Sequence, residues 1–113
     1  MNCLFCKILN NEIPAVKVFE NDNILAFRDI NPVAEEHILF IPKKHISSLN
    51  EIEKGDAGLM GELLHTIASY ARENGFNKNG YRVVNNMGEN AGQTVFHIHF
   101  HLLAGRSFRW PPG

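Results

Sequence analysis

Three of the six histidines, His97, His99 and His101, stand at every second position of the run Gln93–Leu103, with apolar Ile98, Phe100 and Leu102 between and after them. That period of two predicts a strand with one imidazole face and one apolar face, the latter packed through Phe96, Ile98 and Phe100. Alternate rings on a strand stand about 6.5–7 Å apart, and each brings a donor and an acceptor that a buried face must satisfy. Such a row suits a polyanion, a metal or both. Neutral imidazole is abundant near pH 7, given a reference pKa of about 6.5, and attacks phosphorus without a strong base to activate it. His-x-His pairs on strands also supply ligands to catalytic zinc. No serine sits in a nucleophile elbow, and the chain has no GxGxxG, Walker loop or His-Glu-x-x-His. The nucleophile candidates are therefore the triad histidines, Cys3 and Cys6.

The residues leading into the triad fit phosphate chemistry. Asn86-Met87-Gly88-Glu89-Asn90-Ala91-Gly92 is rich in turn formers. Loops of this kind turn backbone N–H groups inward, so an anion is expected beside Gly88, Gly92 and Thr94. His99, the central ring, is the expected nucleophile toward an α-phosphorus, with His101, Asn86, Thr94 and backbone N–H groups around the equatorial oxygens. An imidazolium of the triad is expected to supply the proton that an amine leaving group needs. Cys3 and Cys6 are two residues apart, which fits a metal or redox pair, or two small buried hydrophobes in a short helix. His37 opens a strand and reads equally as a polar group at an edge. Lys43-Lys44-His45 reads as a solvated basic cluster.

The elements that carry these residues follow from patterning. Phe5, Ile8 and Leu9 predict a short amphipathic helix ended by Asn10-Asn11. Val16–Glu20 and Ile24–Arg28 alternate as a hairpin around Asn21-Asp22-Asn23, and His37–Ile41 is an apolar strand running to Pro42. Asp56 opens one long helix with Leu59, Met60, Leu63, Leu64, Ile67, Ala68 and Ala71 on a stripe, and Gly75 is placed to end it. Gly58 and Gly61 within that helix suggest close packing against another backbone. Gly80–Asn85 is a further strand. The sum is an α+β domain, an antiparallel sheet with helices on one side. Prolines stop the tail Arg106–Gly113 from joining a sheet, and its Phe108 and Trp110 predict docking onto another surface.

The triad with Gly92-Gln93-Thr94 before it resembles the signature of the histidine triad superfamily of nucleotide hydrolases and transferases. Glu12-Ile13-Pro14, Ala26-Phe27-Arg28-Asp29-Ile30, Ile41-Pro42-Lys43-Lys44-His45-Ile46 and Trp110-Pro111-Pro112-Gly113 extend the resemblance over nearly the whole chain. The ending is similar to the nucleotide-binding (Hint) branch more than to the dinucleoside polyphosphate hydrolases. The resemblance implies a five-stranded antiparallel sheet with one long and one short helix, in a two-fold homodimer. It implies one domain over residues 1–113, whose tail, 105–113, reaches toward the partner and carries Trp110.

The resemblance further implies hydrolysis of purine nucleoside phosphoramidates or acyl-adenylates through a nucleotidyl-histidine on His99, with His101 and His37 in support. Asp29 would hold the ribose hydroxyls, and Leu4, Phe5, Ile8, Ile13, Phe27, Ile30 and Leu39 would form the slot for the base. Arg28, Asn86, Gly92, Gln93 and Thr94 complete the implied nucleotide site, although Arg28 stands where the family often has histidine. Similar bacterial-type proteins bind structural zinc through residues that here are Cys3, Cys6, His45 and His97. The other readings are a nucleotide-binding regulatory module with incidental catalysis, a dinucleoside polyphosphate hydrolase and a histidine-ligated metal enzyme.

At 113 residues, with 44% hydrophobic and 20% charged, the composition is that of one globular domain. A net charge of −1 excludes the broad basic field that captures a nucleic-acid duplex. No stretch has the length of a membrane span, and Met1–Leu9 is too short and polar for a secretory signal, so a cytoplasmic location is expected.

Overall fold

Alternation along the strands sorts the apolar residues of this chain onto two faces of one sheet. The structure, a computed structural model, describes residues 3–113. Met1 and Asn2, where the signal-segment reading begins, lie outside the described residues. Five strands, β1 (Lys17–Glu20), β2 (Ile24–Arg28), β3 (Glu36–Pro42), β4 (Arg82–Val84) and β5 (Phe100–Ala104), form one antiparallel sheet in the order β1-β2-β3-β5-β4. The β1–β2 turn is closed by Asn21, whose Oδ1 accepts the N–H groups of Asn23 and Ile24 at 2.9 and 2.8 Å. This is the local bond that makes Asn a turn former.

Even-numbered Ile24, Ala26, Ile38, Phe40 and Leu102 bury against Leu63, Ile67 and Ala71 of the long helix α2 (Ala57–Glu73). The predicted stripe holds at those three helical positions and fails at Leu64, which is exposed. Thr66 is buried instead, its hydroxyl donating to the Glu62 carbonyl at 2.8 Å. The 3-10 turn Lys54–Asp56 that leads into α2 is secured by a capping box in which the Glu53 N–H donates to Asp56 Oδ2 at 3.0 Å. Gly75, at φ 78°, follows its end. A Cβ at Gly58 or Gly61 would meet nothing within 4 Å, so the close packing expected there does not occur within this chain.

Odd-numbered Leu25, Phe27, Leu39 and Ile41 face the other way and bury against Phe5 and Ile8 of the short helix α1 (Leu4–Leu9). The two helices therefore cover opposite faces of the sheet, where the sequence suggested helices on one side. Local periodicity reports that a helix has an apolar stripe, but not which face of a distant sheet receives it.

The histidine run also departs from expectation. Only His101 lies in β5; Val95–His97 bend, and His97 and His99 precede the strand. Phe96 is 61% exposed rather than packed. Among the described residues, no helix is long and apolar enough to cross a membrane.

Candidate functional site

The strand register lays out the α1 face as a grid, because residues directly opposite in neighbouring strands share a face. One row runs Phe27, Leu39, His101, Val84. The next runs Asp29, His37, Leu103, Arg82, with Asp29 joined through its N–H to the His37 carbonyl at 2.9 Å. Helix α1 covers the β2–β3 half, leaving His101 on β5, with His99 just before it, between that helix and the sheet edge at β4.

Hydrogen bonds to the backbone fix the proton on each ring. A carbonyl only accepts, so the 2.8 Å contact between His99 Nδ1 and the His97 carbonyl puts the proton of the neutral His99 ring on Nδ1 and leaves Nε2 with its lone pair. The Val33 N–H donates to His37 Nδ1 at 3.1 Å, which puts the His37 proton on Nε2. That Nε2–H faces His101 Nδ1 at 2.8 Å and Asp29 Oδ2 at 3.3 Å. His101 Nδ1 is then an acceptor and its Nε2 carries the proton. The centroids of the His99 and His101 rings are 5.1 Å apart, so a free lone pair and an N–H donor stand side by side. Burial pushes His101 down to about 4, assisted by His99 and His37, and lowers His37 against the pull of Asp29. Both rings are neutral near pH 7, so the His37–Asp29 contact is a hydrogen bond and not an ion pair, and neither ring is the imidazolium expected as proton donor.

Phe5 stands edge-on to His99, with centroids 5.1 Å apart, and to Phe27 at 5.3 Å. Phe5, Ile8, Phe27 and Leu39 pack in one cluster with Ile13 at its margin. Leu4 and Ile30 are 45% and 91% exposed and lie outside that cluster. Asp29 Oδ1 accepts the Asn31 N–H at 2.7 Å, which still leaves carboxylate lone pairs for a diol. Arg28 pairs with Ile38 and bonds Glu36 at 2.7 Å, so it belongs to the α2 face, away from the grid. Alternation with Phe27 and Asp29 requires this, which removes Arg28 from the implied nucleotide site.

Gly88 and Gly92 take positive φ values of 84° and 78°, as a tight phosphate-type loop requires. Gln93 is buried and holds this loop: its Oε1 accepts the Gly88 N–H at 3.0 Å, and its Nε2 donates to the carbonyls of Ser47 and Val95 at 2.9 and 3.1 Å. Its amide is spent on backbone. Asn86 lies two residues beyond Val84, half-buried, and Thr94 is exposed. Asn85 escaped the sequence reading; its Nδ2 donates to the His99 carbonyl at 2.9 Å, while its buried Oδ1 has no partner.

His97 turns from the other two rings toward the amino terminus. Its Nδ1 lies 3.4 Å from Cys3 Sγ, 3.6 Å from Cys6 Sγ and 3.2 Å from His45 Nδ1, and Cys6 Sγ is 3.4 Å from His45 Nδ1. A tetrahedral ion with Zn–N of about 2.05 Å and Zn–S of about 2.3 Å needs N···N near 3.3 Å and N···S near 3.6 Å. The four distances above lie close to those values, and all four ligand atoms fall within 4.8 Å of one another. His97 Nε2 is 2.8 Å from the Pro42 carbonyl, which fixes the proton there and aims the Nδ1 lone pair at the cluster. Burial holds His97 down to about 4, hence neutral, and raises the Cys6 thiol. Asp29, His37 and His101 also lie within 4.8 Å of one another. There the fit fails: a metal on His37 Nε2 would force the proton onto Nδ1, against the Val33 N–H.

The HIT domain family model matches residues 10–108. The chain belongs to the HIT family. A crystal structure of a HIT family hydrolase from Legionella pneumophila is 52% identical, with a TM-score of 0.97 over 99% of this chain and 100% of that one. A 14 kDa zinc-binding protein of Zea mays is 46% identical over 112 residues, 97% of this chain and 87% of that protein. The adenylylsulfatase HINT1 of Arabidopsis thaliana is 44% identical over 112 residues, 97% and 76% of the two chains. The HIT fold accounts for the α+β architecture, the five-stranded sheet and the resemblance drawn from the sequence.

Proposed function

We propose that this HIT protein is a purine nucleotide-binding hydrolase that cleaves nucleoside phosphoramidates or acyl-adenylates through a covalent nucleotidyl-histidine on His99. The observation that carries this reading is the bond from His99 Nδ1 to the His97 carbonyl, which leaves Nε2 as an aimed nucleophile. In the first step Nε2 bonds to the α-phosphorus as the bond to the leaving group breaks; an acyl carboxylate leaves as the anion, and an amine leaves with a proton taken from solvent, which the water of the second step returns. In the second, water displaces the histidine and releases the nucleoside monophosphate. His101 donates through Nε2–H to the phosphoryl oxygens, a role that electrostatic stabilisation makes valuable in a buried site. His37 holds His101 in the required tautomer. Phe5, Ile8, Ile13, Phe27 and Leu39 take the base, Asp29 the ribose hydroxyls, and Gly88, Gly92, Thr94 and Asn86 the phosphate.

Cys3, Cys6, His45 and His97 fit structural zinc, and the Zea mays relative named as zinc-binding supports the same ion here. Bound zinc would supply rigidity; a closed Cys2His2 set has no open position for chemistry. The residues do the orienting: Cys3 and Cys6 tie α1 to His97, whose carbonyl holds His99.

Residues 1–113 would act as one HIT domain in a cytoplasmic two-fold homodimer, with the tail 105–113 reaching the partner's site. The edge position of β4 and the 82% exposure of Trp110 support that assembly.

The test is quenched reaction with an adenosine phosphoramidate followed by intact mass spectrometry. A nucleotidyl adduct on the wild type, absent from His99→Asn together with turnover, is the expected result. Normal hydrolysis by His99→Asn overturns the mechanism.

A further inference from the structure

At the β4 end of the grid, two guanidinium groups flank one ring. The guanidinium carbons of Arg82 and Arg106 lie 5.3 and 4.4 Å from the centroid of Phe108, which is half-buried between them rather than free on the tail. Arg82 Nη2 donates to the Arg109 carbonyl at 3.0 Å, which ties the tail backbone to the same place. Among the described residues, neither arginine has a carboxylate in ion-pair range, whereas Lys17, Arg28, Lys43 and Lys44 each have one. Glu35, whose side chain would crowd a Cβ at Gly105, pairs with neither arginine. In a chain of net charge −1, this is a concentrated and uncompensated positive patch.

The patch adjoins the triad. Arg82 occupies the row of Asp29 and His37, beyond Leu103, and faces the same side as His101. One strand spacing and two residues along the chain separate Arg82 from His101, roughly 8 Å between backbones. Arg106 Nε donates at 3.2 Å to the carbonyl of Val33, the residue whose N–H holds His37. Displacement at phosphorus puts nucleophile and leaving group roughly in line. His99 precedes His101 on the chain and Leu103 follows it, so a group expelled away from His99 moves toward the row of Arg82.

We propose that Arg82 and Arg106, held apart and oriented by Phe108, form a subsite for an anionic leaving group. The chemical class is a nucleoside monophosphate joined to a carboxylate-, sulfate- or phosphate-bearing group. This rests on the hydrolase reading above. Arg82 has uncommitted N–H groups besides the one on the Arg109 carbonyl, and a planar fork suits such oxyanions.

The experiment compares two adenosine phosphoramidates of one amino acid, the free carboxylate and its methyl ester, which differ in a single charge at the leaving group. The wild type should favour the acid, and Arg82→Gln and Arg106→Gln should each lower the acid-to-ester ratio of kcat/KM roughly tenfold or more, as loss of a charged hydrogen bond implies. Arg82→Lys should keep part of the preference. A wild type indifferent to the charge, or a Gln variant that slows both conjugates equally, overturns the subsite and leaves Arg82 as an anchor for the tail. Turnover of neither conjugate defeats the hydrolase reading instead. The subsite is then read by titrating inorganic sulfate against the arginine Nε–H resonances: saturable shifts lost in Arg82→Gln sustain it, and no shift overturns it.

Discussion

Replacing His37 by Phe separates orientation of the triad from the triad itself. The substitution keeps a ring of similar size on β3 but deletes the acceptor for the Val33 N–H and the donor that faces His101 Nδ1 at 2.8 Å. Val33 is exposed, so its N–H can turn to water, and the stability loss should stay under about 1 kcal/mol. The effect on chemistry is read separately. One net hydrogen bond, about 0.5–1.5 kcal/mol, biases His101 toward carrying its proton on Nε2. Without it the donor tautomer falls from a large majority toward about half, and kcat should drop by about twofold. Deleting the donor outright, as in His101→Phe, should cost roughly 10²–10³ by analogy with other oxyanion donors. The assay is steady-state turnover of an adenosine phosphoramidate, paired with proton–nitrogen correlation spectra of the histidine rings. His37→Phe turnover equal to wild type, or a His101 Nε2–H unaltered in the variant, would refute the tautomer chain.

Protein purified without chelator should contain about one zinc per chain, and Cys6→Ser should lose it while amide exchange over residues 3–13 accelerates; less than a tenth of an equivalent in the wild type defeats the metal site. Stability should fall as pH drops from about 6.5 to about 4, because the unfolded chain binds protons in that window that buried His101 refuses until about 4. A displacement of this size corresponds to about 3 kcal/mol, of which on the order of 1–2 remains for a ring only partly shielded from water. Urea midpoints against pH should show this slope in the wild type and a shallower one in His101→Phe. Trp110→Ala should alter substrate preference while changing stability by under about 0.5 kcal/mol, as an exposed residue does; a melting shift with unchanged preference would contradict it. Light scattering should give a dimer, and a monomer counts against the assembly.

Much of this was readable from residue order because side-chain alternation survives in the folded strands. His99 and His101 stayed neighbours, and Phe27, Asp29, Leu39 and His37 fell on their face. What was not readable depended on partners far away in the chain. His97 leaves the row because Val95–His97 bend and its ring meets Cys3, 94 positions distant. Gln93 and Asn85 bond backbone carbonyls, which carry no sequence signal. Phe108 read as a free apolar group because nothing local announces that Arg82 and Arg106 close on it. Arg28 is the instructive miss, since strict alternation with Phe27 and Asp29 already assigned it to the opposite face.

His97 does two unrelated jobs with two ends of one residue. Its imidazole sits among Cys3, Cys6 and His45, and its carbonyl bonds the ring of His99, the proposed nucleophile. Nothing elastic intervenes between them, so disorder at the amino terminus would be transmitted to the nucleophile undamped. Partly metallated preparations should therefore behave as mixtures of fast and slow molecules, and rate constants compared between batches will mean little unless ion content is measured in the same samples.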